Sequence, residues 1–407
     1  MLKNVDKEIN DLIEREKSRE EGSIELIASE NFVSRAVLEA MGTVLNNKYA
    51  DGYPGARDYG GCEYIDKVEE LAINRAKTLF KCNYANVQPY SGTSANMAVF
   101  FALLNPGDKI LSMDVSHGGH ITHGDDTSFS KIYTHLHYHV RKDNYEIDYD
   151  EVRNIALSEK PKIIIAGGSS YALLIDYKRF KEIASEVGAY LVVDMAHIAG
   201  LICAGLIPSP FPYADIVTST THKTLRGPRG GLILTNDSSL AKKIDQGVFP
   251  GNQGGPLMHI IAGKAVAFKE AMQDSFIEYQ KQILKNTLNL FDELKKRSYK
   301  FAPDKTENHL MVMNVYDSIG ISGKQAEEIL GKIGIHTNKM PIPYETNPYS
   351  GLRIGLPAVT SRGFKDHEIE EIARIIDQAL RNYTNEEKLY NLKSEVNSLA
   401  RKFPLQK

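Results

Sequence analysis

Four short segments carry side chains whose types and spacing could do chemistry together, and two of them stand out. TTHKTLRGPRGG contains Lys223, and a lysine amine can form a Schiff base with an aldehyde. A surface lysine beside a tight turn is the plainer interpretation. VVDMAHIAG contains Asp194 at the end of an apolar run. An acid there is costly to bury unless it is paired, so Asp194 could face a cationic ring nitrogen or a metal, or could cap a helix.

The third segment, YSGTSAN, has the composition of an anion site. Ser91, Gly92 and Thr93 follow the strand-like run YANVQ and would open a helix. Backbone N–H groups at a helix start, together with hydroxyls, can bind a phosphate, although an ordinary N-cap explains the serine and threonine equally well. Neither GxxxxGK[ST] nor GxGxxG occurs here, so the segment does not predict a nucleotide.

The fourth segment, HGGHITHG, places His117, His120 and His123 at a spacing of three residues. No HExxH pattern and no companion cysteine accompanies them, so the spacing does not predict a metal centre. One of the imidazoles could instead stack on a flat cofactor ring. The run HLHYH (135–139) alternates along one face of a strand and is interpreted as structural.

Taken together, these segments describe a binding set for pyridoxal phosphate. The set has an amine for the aldehyde, an acid for the ring nitrogen, a helix start for the phosphate and an imidazole for the ring. The ring of this cofactor acts as an electron sink. Arg353 and Arg229 are then candidates for a substrate carboxylate, because a guanidinium binds a carboxylate through two hydrogen bonds.

The elements that must position these residues alternate between strand and helix. Short β-branched runs predict strands at 109–115, 162–167, 190–195 and 215–220, with helical patterns at 148–158 and 176–187 between some of them. This alternation predicts an α/β fold with a mostly parallel sheet. Ligands of such sheets bind outside the carboxyl ends of the strands, which is where Asp194 and Lys223 lie.

The flanking regions predict further helices and a second domain. An apolar stripe that includes Val5, Ile9 and Leu12 predicts a first helix that packs on its own domain or on a partner subunit. Residues 256–298 have a helical pattern, and a strand (309–316), a helix (323–332) and an amphipathic helix (364–383) follow. We therefore predict an N-terminal arm plus a large cofactor-binding domain over 1–280 and a small C-terminal domain over 281–407.

Composition excludes several classes of protein. The 407 residues carry 49 Lys and Arg against 52 Asp and Glu, so no bulk charge attracts nucleic acid or anionic lipid. No apolar run reaches the ~18 residues of a membrane span, and the charged first residues lack the apolar core of a secretion signal. The three cysteines are far apart, which argues against a disulfide scaffold and favours a reducing compartment. The expected location is cytoplasmic.

Longer motifs make the sequence resemble the serine hydroxymethyltransferase family over nearly the whole chain. The matching segments, in the family's order, are ELIASEN (25–31), NKYADGYPG (47–55), YGGCEYID (59–66), HGGHITHG, VDMAHIAGL, THKTLRGPRGGLIL and FPGNQGGPLMH (249–259). The resemblance implies pyridoxal phosphate fold type I, like aspartate aminotransferase, with a large mostly parallel-sheet domain and a smaller C-terminal α+β domain. It also implies a homodimer or a dimer of dimers, to which the N-terminal helix contributes.

The resemblance further implies the reaction and the cofactor contacts. L-serine and tetrahydrofolate would be interconverted with glycine and methylenetetrahydrofolate, through an external aldimine and retro-aldol cleavage. Lys223 would form the Schiff base, Asp194 would bind the pyridine nitrogen and His120 would stack on the ring. His197 and Ser169 would lie near the ring hydroxyl.

The phosphate contacts follow in the same way. Ser91, Gly92 and Thr93 would bind the phosphate, and Tyr49 and Gly255 would reach in from the neighbouring subunit. The hydroxyl of Thr93 stands where the family usually has serine.

The resemblance also assigns the substrate contacts. Ser29 and Arg353 would hold the substrate carboxylate, and Tyr59 and His222 would lie near the reacting carbons. Asp51 stands where the family has glutamate, the carboxylate that handles a proton near the hydroxyl and the folate. Aspartate is one methylene shorter, which is about 1.5 Å of reach.

Two departures leave a second function open. The stretch 338–352 is shorter than in the family and lacks its SPFVTSG motif, and Leu356 replaces the usual threonine. Together with Asp51, they motivate a folate-independent aldolase or transaldolase that acts on L-threonine or other β-hydroxy amino acids. A non-catalytic protein that keeps the fold is a third hypothesis, against which the intact cofactor residues argue.

Overall fold

The structure is a computed structural model that describes residues 1–124, 128–347 and 349–405. Its strands are β1 (Ile24–Glu25), β2 (Gly52–Tyr53), β3 (Ala56–Arg57), β4 (Tyr84–Asn86), β5 (Lys109–Met113), β6 (Thr134–Tyr138), β7 (Ile163–Ala166), β8 (Tyr190–Asp194), β9 (Ile216–Thr220), β10 (Gly231–Thr235), β11 (Lys300–Phe301), β12 (Leu310–Asn314), β13 (Ile335–His336), β14 (Asn338–Met340) and β15 (Gly351–Gly355).

Helices alternate with these strands through most of the chain. The α-helices are α1 (Leu2–Val5), α2 (Lys7–Glu21), α3 (Arg35–Met41), α4 (Glu63–Phe80), α5 (Gly92–Leu103), α6 (Tyr149–Glu159), α7 (Tyr177–Val187), α8 (Ala199–Cys203), α9 (Ser238–Val248), α10 (Met258–Ala271), α11 (Asp274–Lys296), α12 (Val315–Ile319), α13 (Gly323–Lys332), α14 (Pro357–Ser361), α15 (Asp366–Arg381) and α16 (Glu386–Arg401).

The chain divides into two compact units. Residues 33–281 form one unit, and residues 1–32 together with residues 282–407 form the other. Among the helices of the described residues, none combines the length and the hydrophobicity that a membrane-spanning segment needs.

A seven-stranded sheet organises the unit of residues 33–281. Its strand order is β4-β10-β9-β8-β7-β5-β6, and β6, β5, β7, β8 and β9 run parallel while β10 is antiparallel to both of its neighbours. The inner strands are continuous apolar runs, such as IIIA in β7, because helices cover both faces of a parallel sheet. The predicted α/β fold with a mostly parallel sheet is confirmed.

The order of the strands determines which carboxyl ends are neighbours. β8 pairs with β9 in parallel, with Asp194 opposite Thr218. Asp194 ends β8, and Lys223 follows the end of β9 by three residues. These two side chains therefore emerge at the same edge of the sheet.

Helix α5 brings the anion segment to this edge. Ser91 caps the helix, since its side chain accepts from the N–H of Ser94. Ala95, Val99 and Phe100 are buried in the core of the unit. Because this face packs along β9 and β10, the first turn of the helix lies beside the end of β9.

The other unit contains a four-stranded antiparallel sheet in the order β11-β12-β15-β14. β1 pairs in parallel with β13. The sheet shares its core with α15, whose predicted apolar face is fully buried. The buried residues of this face are Ile369, Ile372, Ile375, Ile376 and Leu380.

Three predicted elements differ from the structure. The strand predicted at 309–316 ends at Asn314, because the side chain of Asn314 accepts from the N–H of Asp317 and so begins α12. The helical pattern at 256–298 is two helices, with a break at 272–273 between α10 and α11. The predicted first helix is divided at Asp6, which follows α1 and whose side chain accepts from the N–H of Ile9 and so caps α2.

The Glu25 carboxyl makes the free energy of unfolding depend on pH. Glu25 is buried, and burial together with the facing Glu30 raises its pKa from 4.5 to about 8. The folded chain therefore keeps a proton that the unfolded chain releases. The contribution of Glu25 to the free energy of unfolding is therefore fully present below pH 4.5 and is lost as the pH rises through about 8.

We expect the Glu25→Gln variant to lose this dependence. Its melting temperature should change less between pH 5.5 and 8.5 than that of the parent protein, because one pKa unit is worth about 1.4 kcal/mol. Thermal melts at several pH values measure the difference. Glu14→Gln, a change on the exposed face of α2, is the matched control. Parallel pH curves for the parent and Glu25→Gln would contradict the assignment.

Candidate active site

The Asp194 carboxylate lies at the centre of a hydrogen-bond network. Its Oδ2 accepts from His123 Nε2 at 2.8 Å and from Asn96 Nδ2 at 3.1 Å, and its Oδ1 accepts from the N–H of Ala196 at 3.0 Å. Burial opposes the charge, but His123, His120 and Lys223 favour it, and the pKa of Asp194 is well below its usual value. Asp194 is therefore a stable buried anion.

The histidine segment wraps around this carboxylate. Thr122 donates its N–H to His120 Nδ1 at 3.2 Å, and its hydroxyl lies 2.7 Å from the same nitrogen. The His120 and His123 rings are 5.5 Å apart. Asn96 ties the group to the sheet, since it donates to the Thr122 hydroxyl and accepts from Thr218. His120 is thus held in one orientation next to the network of Asp194.

Lys223 lies in a tightly built turn. It is 7% exposed, and its carbonyl accepts from the N–H of Arg226 at 3.0 Å. Arg226 adopts a left-handed backbone conformation (φ 57°), which is strained for a residue with a side chain, and its guanidinium lies 4.6 Å from the ring centre of Tyr279. The N–H of Gly227 donates to the Thr221 carbonyl. The turn holds Lys223 at the sheet edge.

The predicted anion segment lies against the same edge, and only glycine fits at two of its contacts. A Cβ at Gly92 would lie 2.7 Å from Thr220 Cγ2, and a Cβ at Gly231 would lie 2.2 Å from the Ser91 carbonyl. Backbone N–H groups of the first turn of α5, with the Ser91 and Thr93 hydroxyls, have the chemistry to bind a phosphate.

Two predicted cofactor residues, Ser169 and His197, and the predicted substrate-site residue His222 each follow the end of a strand at the same edge. His197 is buried, and its carbonyl accepts from the Thr224 hydroxyl. Ser169 donates its N–H to the Gly118 carbonyl, two residues before His120. His222 precedes Lys223, and burial together with the cations Arg229 and Lys223 lowers its pKa to about 3. His222 is therefore a neutral imidazole.

A second cluster joins residues of the NKYADGYPG segment to Tyr59 and Gly255. The rings of Tyr49 and Tyr59 meet edge to face at 5.4 Å. A Cβ built on Gly255 would lie 3.2 Å from Asp51 Oδ1 and 3.3 Å from the Tyr49 ring. Tyr90, next to Ser91, donates its hydroxyl to the Gly255 carbonyl at 2.7 Å. This cluster therefore adjoins the start of α5 within one chain.

Ser29 and Arg353 belong to the unit of residues 1–32 and 282–407. Arg353 lies on β15, is 7% exposed and donates from Nε to Asn338 Oδ1 at 3.0 Å. Burial lowers its pKa to about 10. Gly355, two residues along the same strand, donates its N–H to the Leu26 carbonyl, and a Cβ at Gly355 would lie 2.4 Å from Ala28 Cα. Arg353 thus lies in the middle of β15, and the residue before Ser29 packs against the end of the same strand.

Two residues of the Asp194 network were not predicted. The sequence presents His123 only as part of the histidine spacing and Asn96 only as the end of the anion segment, and it predicts no contact of either with Asp194. The spacing of HGGHITHG does carry a signal, since residues three apart can share one side of a short turn. Which histidine bonds to Asp194 depends on tertiary packing.

The groups at this sheet edge match the aldehyde, the ring nitrogen and the phosphate of pyridoxal phosphate. A buried amine, a buried anionic carboxylate and a helix start lie at one sheet edge, where Gly92 and Gly231 leave room only for backbone. A profile of the family described as serine hydroxymethyltransferase matches residues 2–376 of the chain.

The chain belongs to the serine hydroxymethyltransferase family. Members of this family are pyridoxal-phosphate-dependent glycine hydroxymethyltransferases that act on serine and glycine and use tetrahydrofolate as co-substrate. The predicted family, enzyme class and cofactor are confirmed, and the family implies pyridoxal phosphate fold type I.

Proposed function

We propose that the protein transfers the hydroxymethyl carbon of L-serine to tetrahydrofolate and releases glycine. The observation that carries this proposal is the pairing of a buried amine, Lys223, with a buried anionic carboxylate, Asp194, at neighbouring strand ends. Pyridoxal phosphate requires a lysine for its aldehyde and a partner for its ring nitrogen.

The proposed cofactor contacts follow from the chemistry of each side chain. Lys223 would hold the aldehyde group through its amine, and Asp194 would hold the ring nitrogen. The first turn of α5 (Ser91, Gly92 and Thr93) would hold the phosphate. Tyr49 and Gly255 adjoin this turn within one chain, and in the proposed dimer they would reach the phosphate bound by the second copy. His120 would cover the ring, and Ser169 and His197 would lie near its hydroxyl. The closeness of His120 and Lys223 to the Asp194 charge supports this arrangement.

Bound pyridoxal phosphate supplies an electron-accepting ring, and the chain's own residues do the rest. Asp194 remains charged at neutral pH and so favours a protonated ring nitrogen. Arg353 and Ser29 bind the serine carboxylate, which sets the direction of the Cα–Cβ bond. Asp51 accepts the hydroxyl proton as that bond breaks.

Two further residues complete the proposed substrate site. Tyr59 and His222 lie near the reacting carbons. His222 is neutral because of burial and the nearby cations, so it can accept a hydrogen bond without adding charge next to the Lys223 amine.

The assembly and the domain division are also proposals. We propose a homodimer or a dimer of dimers, supported by exposed apolar side chains on the N-terminal segment (Val5, Ile9, Leu12 and Ile13). An arm plus large domain over 1–280 and a small domain over 281–407 remain the proposed division. The free thiols of Cys62, Cys82 and Cys203 suit a cytoplasmic location.

Glycine formation from L-serine, with and without tetrahydrofolate, tests the proposal. Strong stimulation by tetrahydrofolate is expected. Cleavage that is independent of folate, and faster with L-threonine, would favour the aldolase or transaldolase instead. The short connection between β14 and β15 and the short side chain of Asp51 are the observations that favour that second candidate.

The Asp51→Glu variant should have a higher folate-dependent rate. The longer side chain brings the carboxylate about 1.5 Å further, and proton transfer requires hydrogen-bond distance. Glycine formation at saturating serine and tetrahydrofolate measures the change. Asp58→Glu, at an exposed aspartate seven residues along the chain, is the control. A lower rate would show that the backbone is already fitted to aspartate.

A further inference from the structure

The backbone around Asp51 is held by one buried guanidinium. Arg57 lies at the end of the β2–β3 hairpin, and its side chain is 3% exposed. Its Nη1 donates to the carbonyl of Ala50 at 2.9 Å and to the carbonyl of Gly52 at 2.8 Å. These are the carbonyls on the two sides of Asp51, so one nitrogen holds the chain before and after it.

Two carboxylates of α4 fix the guanidinium in turn. Arg57 Nε donates to Asp66 Oδ1 at 2.8 Å, and Nη2 donates to Glu69 Oε2 at 2.6 Å. Asp66 also accepts from the N–H of Gly55 in the hairpin turn. Burial raises the pKa of Glu69, and the facing Arg57 opposes that rise. A planar group with fixed donors can make all of these bonds together, whereas an ammonium group cannot.

Gln88 extends this frame to the anion segment. Its Nε2 donates to the Gly52 carbonyl at 3.0 Å and to Glu69 Oε1 at 2.8 Å. The main-chain carbonyl of Gln88 accepts from Gln253 Nε2, and Gln253 Oε1 accepts from the N–H of Tyr90. The frame thus runs from the two sides of Asp51 to the residue before Ser91.

The Asp51 carboxylate depends on this frame for its position. Asp51 Oδ1 is buried and accepts no hydrogen bond from the described residues. The backbone of Asp51 is fixed instead, since its carbonyl accepts from the N–H of Asp58 at 3.0 Å. Where the carboxylate lies is therefore set by the hairpin backbone and not by bonds to Oδ1.

We propose that Arg57 is a positioning residue that fixes the Asp51 carboxylate for proton transfer by clamping the carbonyls of Ala50 and Gly52. The proposal rests on the proposed role of Asp51 as acceptor of the serine hydroxyl proton. Arg57 itself does not touch the substrate.

Two reactions of the holoenzyme separate positioning from simple stability. Glycine formation from L-serine with tetrahydrofolate requires removal of the hydroxyl proton. Exchange of the glycine α-proton in D₂O, followed by NMR, uses the same cofactor but no hydroxyl. In Arg57→Lys, we expect the ratio of the first rate to the second to fall by about 10- to 100-fold, since a misplacement of about 1 Å can cost a factor of 10².

The same ratio in Asp51→Asn, alone and combined with Arg57→Lys, completes the test. Once Asp51 is changed, adding Arg57→Lys should alter the ratio by less than about twofold, because the two residues act as one unit. Arg75→Lys is the matched control, since Arg75, which lies on α4, also donates to a main-chain carbonyl, that of Ala265. Its ratio should equal that of the parent protein.

Each result decides the proposal. If Asp51→Asn lowers the ratio but Arg57→Lys slows both reactions equally, the role of Arg57 is overturned and that of Asp51 stands. An unchanged ratio in Asp51→Asn would overturn the role of Asp51 and this proposal with it. If Arg57→Lys does not fold, Gln88→Met carries the test. In Gln88→Met, a fall in the ratio of serine turnover to α-proton exchange, smaller than that expected for Arg57→Lys, would support the proposal. An unchanged ratio would overturn it.

Discussion

The Lys223→Ala variant is expected to lose covalent attachment of pyridoxal phosphate and to lose serine turnover by about 10³-fold or more. Lys223 is buried at the sheet edge next to Asp194, and the turn that follows it holds it there. The amine is needed to bind the aldehyde and to exchange it for the substrate amine. Its methyl replacement can do neither.

Borohydride reduction followed by peptide mass spectrometry measures the attachment site. In the parent protein, the modified peptide should contain Lys223, and in the variant no peptide should be modified. Lys242→Ala, an exposed lysine on α9, is the control and should keep both the modification and the activity. A modified peptide elsewhere in the parent protein would refute the assignment.

The Asp194→Asn variant is expected to lower serine turnover by about 10²–10³-fold, as for removal of a group that stabilises developing charge. An amide can keep the contacts with Asn96 and His123 only in part, and it carries no charge to hold a proton on the ring nitrogen. The network should therefore survive better than the activity. Asp194→Glu restores the charge with a longer side chain and should recover part of the rate.

The absorbance of the bound cofactor and its dissociation constant complete the measurement. Asp245→Asn is the matched control, because Asp245 is also a carboxylate that accepts from an asparagine amide in the same unit. It should retain the parent rate within about twofold. Parent-like turnover in Asp194→Asn would show that the carboxylate does not control the ring nitrogen.

Much of the fold and the main pair of site residues could be predicted from sequence. The β-branched runs that became β5, β7, β8 and β9 are buried on both faces, so their hydrophobicity is continuous and easy to read. Because ligands bind outside the carboxyl ends of parallel strands, the sequence also predicts that Asp194 and Lys223 lie at the same edge of the sheet. Both inferences depend on local patterns and on general topology, which a single sequence contains.

The parts that could not be predicted depend on contacts between residues far apart in the chain. Packing determines the hydrogen bonds of His123 and Asn96 to Asp194, and also those of Arg57 to the carbonyls on the two sides of Asp51. No rule of sequence spacing predicts these bonds. The pairing of β1 with β13 has the same origin. The end of β12 at Asn314 shows the opposite case, where a local cap overrides an apolar pattern.

Following the C3 carbon of L-[3-¹³C]serine by NMR tests the central claim most directly. With the purified parent protein and tetrahydrofolate, the account predicts that the label appears in the methylene carbon of the folate at the rate at which glycine forms. Label that appears instead as free hydrated formaldehyde, at a rate unchanged by tetrahydrofolate, would contradict hydroxymethyl transfer and point to aldol cleavage.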